Sequence, residues 1–203
     1  MEQTDEPAIE LSVVMPCLNE ADTLEVCIRK AQDAFAACGA QGEVIVADNG
    51  SDDGCPEIAR DLGARVVHVA SRGYGHALMG GIEAARGRFV IMGDADESYD
   101  FSEIPSFLTA LRDGAELVQG CRMPSGGGQI LPGAMPVLHR WFGNPLLSRL
   151  ARVMFDVPVK DAYCGLRGFT RDLYDRLELR CTGMEFATEM IIKSALLGAR
   201  VAE

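Results

Sequence analysis

The sequence is poor in aromatic residues and lacks the features of several common protein classes. Only 6% of its 203 residues are aromatic, and its seven cysteines include no C-x-x-C pair. This argues against a zinc site or a disulfide framework and predicts reduced, mostly buried thiols. No apolar stretch reaches the roughly 18 residues of a membrane span, and the acidic amino terminus lacks the basic and apolar regions of a signal peptide. We therefore expect a soluble domain that is not exported.

Two familiar nucleotide-binding motifs are also missing. Gly73, Gly75 and Gly80 do not have the G-x-G-x-x-G spacing, and no G-K-[ST] sequence occurs. A dinucleotide dehydrogenase or a P-loop enzyme is therefore not indicated.

The charge is strongly acidic overall but unevenly distributed. A net charge of -11 argues against a nucleic-acid surface, which should be basic. Residues 122–160 are the exception, because they carry five basic side chains and one acidic side chain. Within this segment, Leu131–Val159 interleaves apolar residues with Arg140, Arg149 and Arg152, a composition that suits a membrane interface. The alternative is an ordinary helix that packs its apolar stripe on the sheet.

Short apolar runs alternate with helical patterns along the chain. With 48% apolar residues, residues 1–203 can bury one core, and we expect a single α/β domain with a mostly parallel central sheet and helices on both faces. Strands are predicted at Ile9–Met15, Glu43–Ala47, Arg65–Val69, 88–92 and Glu116–Gly120. Helices are predicted at Asn19–Cys38, Pro56–Leu62, Tyr74–Ala85, Ser102–Arg112 and Met184–Leu197. Gly198–Glu203 reads as a turn that enters a further strand, and we expect the chain to be a fragment of a longer protein.

Two carboxylates directly follow the apolar run Phe89–Met92. Gly93 lets the chain turn, and Asp94 and Asp96 are two residues apart, so both can face one pocket while Ala95 packs behind them. Hard oxygen ligands of this kind suit Mg²⁺ or Mn²⁺, which usually take further ligands from substrate phosphates. The alternative is a solvated turn rich in aspartate.

Polar residues also follow two other predicted strands, at Pro16–Glu20 and Asp48–Asp53. Ligands of parallel sheets bind beyond the carboxyl ends of the strands. Asp48 follows four apolar residues, so it should lie at the sheet edge, where it can accept hydrogen bonds from a base or ribose. For Asn49, Ser51 and Asp52, turn formation and helix capping are the alternatives.

Four motifs in this order resemble glycosyltransferase family 2. They are V-V-M-P-C-L-N-E (13–20), V-I-V-A-D-N-G-S-D-D-G (44–54), G-D-A-D (93–96) and D-A-Y-C-G-L-R-G-F (161–169). Within the family, the chain is most similar to the polyprenyl-phosphate glycosyltransferases typified by dolichol-phosphate mannose synthase. The resemblance implies a GT-A fold, a nucleotide-diphosphate sugar donor and a divalent metal.

The resemblance also implies roles for single residues. It implies that the nucleotide is contacted by Pro16, Asn19, Glu20 and Asp48. It implies that the metal and diphosphate are bound by Asp94 and Asp96, and that phosphate is recognised by Arg122 and Arg167. Some relatives carry a metal-binding Gln after the second Asp, whereas Glu97 and Ser98 follow here. The third protein ligand therefore stays unassigned.

The chemical class of the acceptor substrate, which receives the sugar, decides whether the transfer needs a general base. A lipid phosphate is largely ionised at neutral pH and can attack without one. A sugar hydroxyl would need a base, for which the candidates are Asp161, Glu185 and Glu189, and the resemblance places Glu185 near the acceptor. A solvated helix face or an ion pair with Lys193 is the alternative for the two glutamates.

The sequence therefore predicts a metal-dependent, inverting hexosyltransferase with a donor of the UDP-glucose or GDP-mannose class. The predicted acceptor is a polyprenyl phosphate at the cytoplasmic face of a membrane, with peripheral contact through 122–160 and an anchor in the full-length protein. A glycosyltransferase with a glycan or small hydroxyl acceptor is one alternative. A non-catalytic module that binds nucleotide sugars is another.

Overall fold

The computed structural model of the protein describes residues 8–122, 155 and 159–203. The predicted basic segment at 122–160 lies outside the described residues, apart from its two ends and Phe155. No helix in the described ranges is long and apolar enough to cross a bilayer.

Strands and helices alternate from the first described strand to α4. The strands are β1 (Leu11–Cys17), β2 (Gly42–Asp48), β3 (Arg65–His68), β4 (Phe89–Met92), β5 (Leu117–Gln119), β6 (Arg167–Thr170) and β7 (Val201–Ala202). The helices are α1 (Ala21–Cys38), α2 (Cys55–Asp61), α3 (Tyr74–Ala84), α4 (Ile104–Arg112), α5 (Arg171–Leu177) and α6 (Phe186–Leu196), and a 3-10 turn at Phe101–Glu103 precedes α4. Every predicted strand and helix is present, with its ends within two residues of the predicted ones.

The seven strands of the described chain form one sheet in the order β3-β2-β1-β4-β6-β5-β7. β3, β2, β1 and β4 are parallel neighbours, and β7 is parallel to β5. β6, which sequence analysis did not predict, runs antiparallel between β4 and β5. The predicted mostly parallel sheet is therefore confirmed, with one reversed strand in it.

Each face of the sheet carries its own apolar core. Alternate residues of β1 point to opposite faces, so Val13 packs with α1, α2 and α4, whereas Val14 packs with α3, α5 and α6. Helices therefore cover both faces, as predicted.

Helix α3 lies unusually close to the sheet. A Cβ atom at Gly81 would lie 2.5 Å from Val14 Cγ1 and 3.0 Å from Ala47 Cβ, so only glycine fits without a shift of its neighbours. Because α3 follows β3, its first residue, Tyr74, stands at the carboxyl edge of the sheet.

Candidate active site

The carboxyl ends of β2, β1 and β4 lie side by side in the sheet. In the register of β1 and β2, Cys17 lies opposite Asp48. The structure therefore brings together the three polar segments at Pro16–Glu20, Asp48–Asp53 and Asp94–Asp96, as the rule for parallel sheets predicts.

The Asp94 side chain is partly buried beside other carboxylates. Burial raises the pKa of Asp94 to about 6, the negative charges of Asp96 and Glu20 add to this, and hydrogen bonding to Tyr74 and the charge of Arg122 oppose it. Burial and the charges of Asp96 and Asp53 likewise raise the pKa of Glu20. Among the described residues, Asp94 Oδ1 is buried without a hydrogen-bond partner. A bound cation would offset the repulsion between the carboxylates and would give Asp94 Oδ1 the partner that it lacks.

Asp96 is exposed, and its orientation is set by its own turn. Its two carboxylate oxygens accept hydrogen bonds from the Ser98 amide (2.9 Å) and the Ser98 hydroxyl (2.8 Å). Ala95, between the two aspartates, is 1% exposed, as expected for a residue that packs behind them. Its carbonyl accepts a 2.7 Å hydrogen bond from the hydroxyl of Thr23 on α1. Helix α1 thus holds the peptide that carries both carboxylates.

These oxygen ligands fit a magnesium or manganese ion. Asp94 offers an unpartnered oxygen, and Asp96 keeps lone pairs free beside its two bonds to Ser98. Within the described ranges, no group of three or more His, Cys, Asp and Glu side chains is arranged to hold a metal ion. The third protein ligand that sequence analysis left open therefore stays unassigned.

Asp48 is a buried, ionised acceptor at the end of β2. It is 3% exposed, and its Oδ1 accepts from the Ser51 amide at 3.0 Å while Oδ2 lies 3.1 Å from Nδ1 of His68. Burial works to raise the pKa of Asp48, but the hydrogen bonds from Ser51 and His68 outweigh it and hold that pKa below its ordinary value. The carboxylate is therefore charged and fixed in place at neutral pH.

Asn19 and Asn49 hold the loops around this edge. Asn19, with a positive φ of 59°, donates its amide to the Ser51 hydroxyl (3.0 Å) and accepts from the Asp52 amide (2.9 Å). The Asn49 side chain donates to the carbonyls of Val69 and Ser71 (2.9 Å each) and accepts from the Gly73 amide (2.8 Å). The Asn49 side chain therefore holds the loop after β3, and these contacts are neither the local turn nor the helix cap that was its alternative in sequence analysis. The nucleotide roles of Asn19, Glu20 and Pro16 stay predictions.

Arg122 and Asp161, predicted in separate roles, form one ion pair. The Arg122 guanidinium donates from Nε and Nη2 to both carboxylate oxygens of Asp161, at 2.8 and 3.0 Å. Asp161 is 0% exposed and also accepts from the backbone amides of Arg122 and Tyr163. The Arg122 side chain remains 23% exposed. Asp161 therefore orients Arg122 and is poorly placed to take a proton from an acceptor.

Arg167 is fully buried at the start of β6. It is 0% exposed, and its guanidinium donates to the carbonyls of Cys164 (3.0 Å), Ala162 (2.8 Å) and Ala187. Burial lowers its pKa. In this conformation the guanidinium joins the 162–164 loop to α6 and does not reach the surface, so its predicted phosphate contact stays a prediction that requires movement.

Glu185 and Glu189, the two glutamates among the candidate bases, differ in their surroundings. Glu185 precedes α6, is exposed and accepts only a 3.2 Å bond from the Gly183 amide within the described chain. Glu189 pairs with Lys193 at 2.8 Å and accepts from the amides of Arg180 and Cys181. Although burial opposes it, these bonds lower the pKa of Glu189 to about 2. The ion-pair alternative thus describes Glu189, while Glu185 stays available.

Sequence reasoning missed three residues that shape the site: Thr23, Tyr74 and Asp53. Asp53 accepts from the amides of Ala21 (2.8 Å) and Cys55 (3.1 Å), the first residues of α1 and α2. For Tyr74, the sequence did contain a signal, because a glycine on each side of a residue indicates close packing of the backbone there. A Cβ atom at Gly73 or Gly75 would lie 2.6 Å from a carbonyl oxygen of the 181–182 backbone, so this pair permits close packing at the start of α3.

Comparison with known proteins gives consistent matches. A family model described as Glycosyl transferase family 2 matches residues 12–178. The chain is 43% identical over 194 residues to the low-salt glycan biosynthesis hexosyltransferase Agl6 of Haloferax volcanii, a match that covers 95% of this chain and 46% of that relative. It is 33% identical over 195 residues to a dolichyl-phosphate hexose transferase of the same organism, covering 96% of this chain and 80% of that relative. The chain thus spans about half the length of the first relative.

Solved structures share the fold. Glucosyl-3-phosphoglycerate synthase from Mycobacterium tuberculosis, solved with Mn²⁺, UDP and glucosyl-3-phosphoglycerate, matches with a TM-score of 0.71 and 24% identity over 96% of this chain and 68% of that chain. Mannosyl-3-phosphoglycerate synthase from Rubrobacter xylanophilus matches with a TM-score of 0.72 and 22% identity, covering 96% of this chain and 64% of that chain. The predicted GT-A fold is confirmed.

Replacing Asp94 with Asn should stabilise the metal-free protein at neutral pH. The amide removes a carboxylate whose pKa is about 6, compared with an ordinary value of 3.8. A shift of about two pKa units corresponds to a free energy of unfolding that is lower by at most about 3 kcal/mol. The advantage should shrink as the pH falls through 6 and vanish near 3.8, because the wild-type carboxyl then binds a proton. Urea unfolding with a chelator present measures the difference.

Asp161→Asn is the matched control. It breaks a buried ion pair with Arg122, and we expect the free energy of unfolding to fall by about 3 kcal/mol. Equal destabilisation by Asp94→Asn would show that the Asp94 charge is satisfied in the fold.

Proposed function

The chain belongs to glycosyl transferase family 2, as its motifs predicted, and we propose that it moves a hexose from a nucleotide-diphosphate sugar to a polyprenyl phosphate. The single observation that carries the proposal is the buried, unpartnered oxygen of Asp94 at the carboxyl edge of the sheet, close to Asp96 and Glu20. A metal–diphosphate complex would supply the missing positive charge.

In the proposed mechanism, Asp94 and Asp96 would hold Mg²⁺ or Mn²⁺, and Asp48 would bind the nucleoside. The bound ion would supply positive charge that stabilises the diphosphate as a leaving group. Before substrate arrives, Ser98 orients the Asp96 carboxylate and Thr23 holds the Ala95 carbonyl between the two aspartates, which lowers the cost of reorganisation.

Arg122 contributes a second positive charge near the reacting groups. Its charge acts on the Asp94 carboxylate, and its guanidinium is partly exposed while Asp161 fixes its direction. It can therefore stabilise the charge that develops as the bond between sugar and diphosphate breaks. Asp161 acts through Arg122 and touches no substrate in this mechanism.

A lipid phosphate is the acceptor that requires least from the described side chains. At neutral pH it is ionised and attacks the sugar carbon from the face opposite the leaving diphosphate, so the configuration inverts. Of the three candidate bases, Asp161 and Glu189 are engaged in ion pairs. The basic composition of 122–160 and the dolichyl-phosphate relative support the same acceptor. As in the sequence prediction, we place the transfer at the cytoplasmic face of a membrane.

Donor binding should require the metal site. In calorimetric titrations with UDP-glucose and GDP-mannose, we expect one donor to bind with Mn²⁺ and to lose at least about tenfold in affinity without it. Asp96→Ala should cause the same loss, because it removes a metal ligand. Asp113→Ala, which removes an exposed carboxylate after α4, should bind like wild type. Equal binding with and without metal would contradict the proposed site.

Glu185→Gln distinguishes the two acceptor classes. Because a lipid phosphate needs no base, we expect transfer to polyprenyl phosphate to keep its rate within about threefold. For a hydroxyl acceptor, the same substitution should lower the rate by about 10²-fold or more. Transfer assays with radiolabelled donor and each acceptor class measure this. A large loss on Glu185→Gln together with indifference to lipid phosphate would favour a glycan or small hydroxyl acceptor.

A further inference from the structure

His68, the last residue of β3, is an exposed side chain with partners on both ring nitrogens. Nδ1 lies 3.1 Å from Asp48 Oδ2, and Nε2 lies 3.1 Å from Nη2 of Arg60 on α2. The His68 side chain is 61% exposed, whereas that of Asp48 is 4% exposed. Arg60, His68 and Asp48 therefore form a row of polar groups. The row runs from the surface to the carboxylate that is predicted to accept hydrogen bonds from the nucleoside.

The arginine fixes the direction of the hydrogen bonds in this row. A guanidinium can only donate, so Nε2 of His68 accepts, and the proton of the neutral imidazole must lie on Nδ1. Nδ1–H then donates to Asp48. The register of the parallel strands pairs His68 with Asp48, which keeps the imidazole beside the carboxylate.

Two donors on different oxygens fix the plane of the Asp48 carboxylate. Ser51 N–H donates to Oδ1 and His68 Nδ1–H to Oδ2. Each oxygen has two lone pairs, so both can still accept from a ligand. Without His68, the carboxylate would keep its hydrogen bonds from Ser51 and Gly50 but would lose the N–H donor on Oδ2, so its angle about the χ2 torsion would be less closely fixed.

We infer that His68, held by Arg60, is a positioning residue that orients Asp48 toward the nucleoside of the donor. This inference rests on the proposed function. N–H and O–H groups of a base or ribose require an acceptor in a defined direction, so loss of His68 should weaken nucleoside recognition. The diphosphate, which the proposed mechanism places at Asp94 and Asp96, should bind as before.

Calorimetry with three probes tests this: UDP, GDP and pyrophosphate, each with Mn²⁺. For the nucleotide that wild type binds, we expect His68→Leu to weaken affinity by about tenfold and to leave pyrophosphate affinity unchanged. His68→Asn keeps an N–H at the position of Nδ1 and should restore nucleotide affinity to within about threefold. Thermal unfolding confirms that the exposed substitutions leave the fold intact.

The possible outcomes distinguish failure of the role inferred for His68 from failure of the proposed function. A wild-type protein that binds neither nucleotide contradicts the proposed function, and the role of His68 falls with it. If wild type binds a nucleotide, equal affinity in His68→Leu, or equal loss of nucleotide and pyrophosphate, overturns the inference alone. Nitrogen-15 NMR adds a ligand-free criterion, since a proton on Nε2 instead of Nδ1 would also overturn it.

Discussion

The candidate site depends on a carboxylate that the fold buries without neutralising it. Asp94 stands at the end of a fully buried strand, beside Asp96 and Glu20, and keeps an oxygen without a partner among the described residues. Such an arrangement opposes folding and favours cation binding, because the burial and the repulsion that raise the pKa of Asp94 both act against an uncompensated charge, which a cation would compensate. Under the proposed function, metal affinity and fold stability are therefore coupled at this position.

The surrounding structure supports this placement through backbone contacts. Thr23 holds the carbonyl of Ala95, Asp53 binds the first amides of α1 and α2, and Asn49 ties β2 to the loop after β3. At Gly73 that loop meets the 181–182 backbone, which Glu189 fixes to α6. A continuous set of contacts thus joins the proposed donor edge to α6, which carries Glu189 and follows Glu185, two of the candidate bases.

Much of the fold could be predicted because most of its strands are short apolar runs, and β2 ends in Asp48 while Gly93 and Gly120 follow β4 and β5. The run Phe89–Met92 predicted a strand, which is confirmed, and Asp94 and Asp96 after it predicted a candidate site. β6 was missed because Arg-Gly-Phe-Thr has no apolar alternation, and only its pairing with β4 and β5 makes it a strand. Helix α5, with seven residues, was too short for its pattern to be distinctive.

The roles of long charged side chains were harder to predict. Motif position assigned Arg167 to a phosphate, yet its guanidinium ends among backbone carbonyls, and Asp161, a candidate base, ends on Arg122. A sequence gives the position of the backbone along a strand or loop, but several rotatable bonds separate that backbone from the charged group. Contacts such as Thr23 with Ala95 join residues 72 positions apart and leave no local signal.

The ionisation of Asp94 is the most direct measure of the central claim. Carboxyl carbon-13 NMR titrations, with Asp94→Asn for assignment, should give Asp94 a pKa of about 6 without metal, and Mg²⁺ should move its ionisation to a clearly lower pH. An ordinary value near 3.8 that Mg²⁺ does not change would contradict the account, because the carboxylate would then be neither strained by its neighbours nor a ligand.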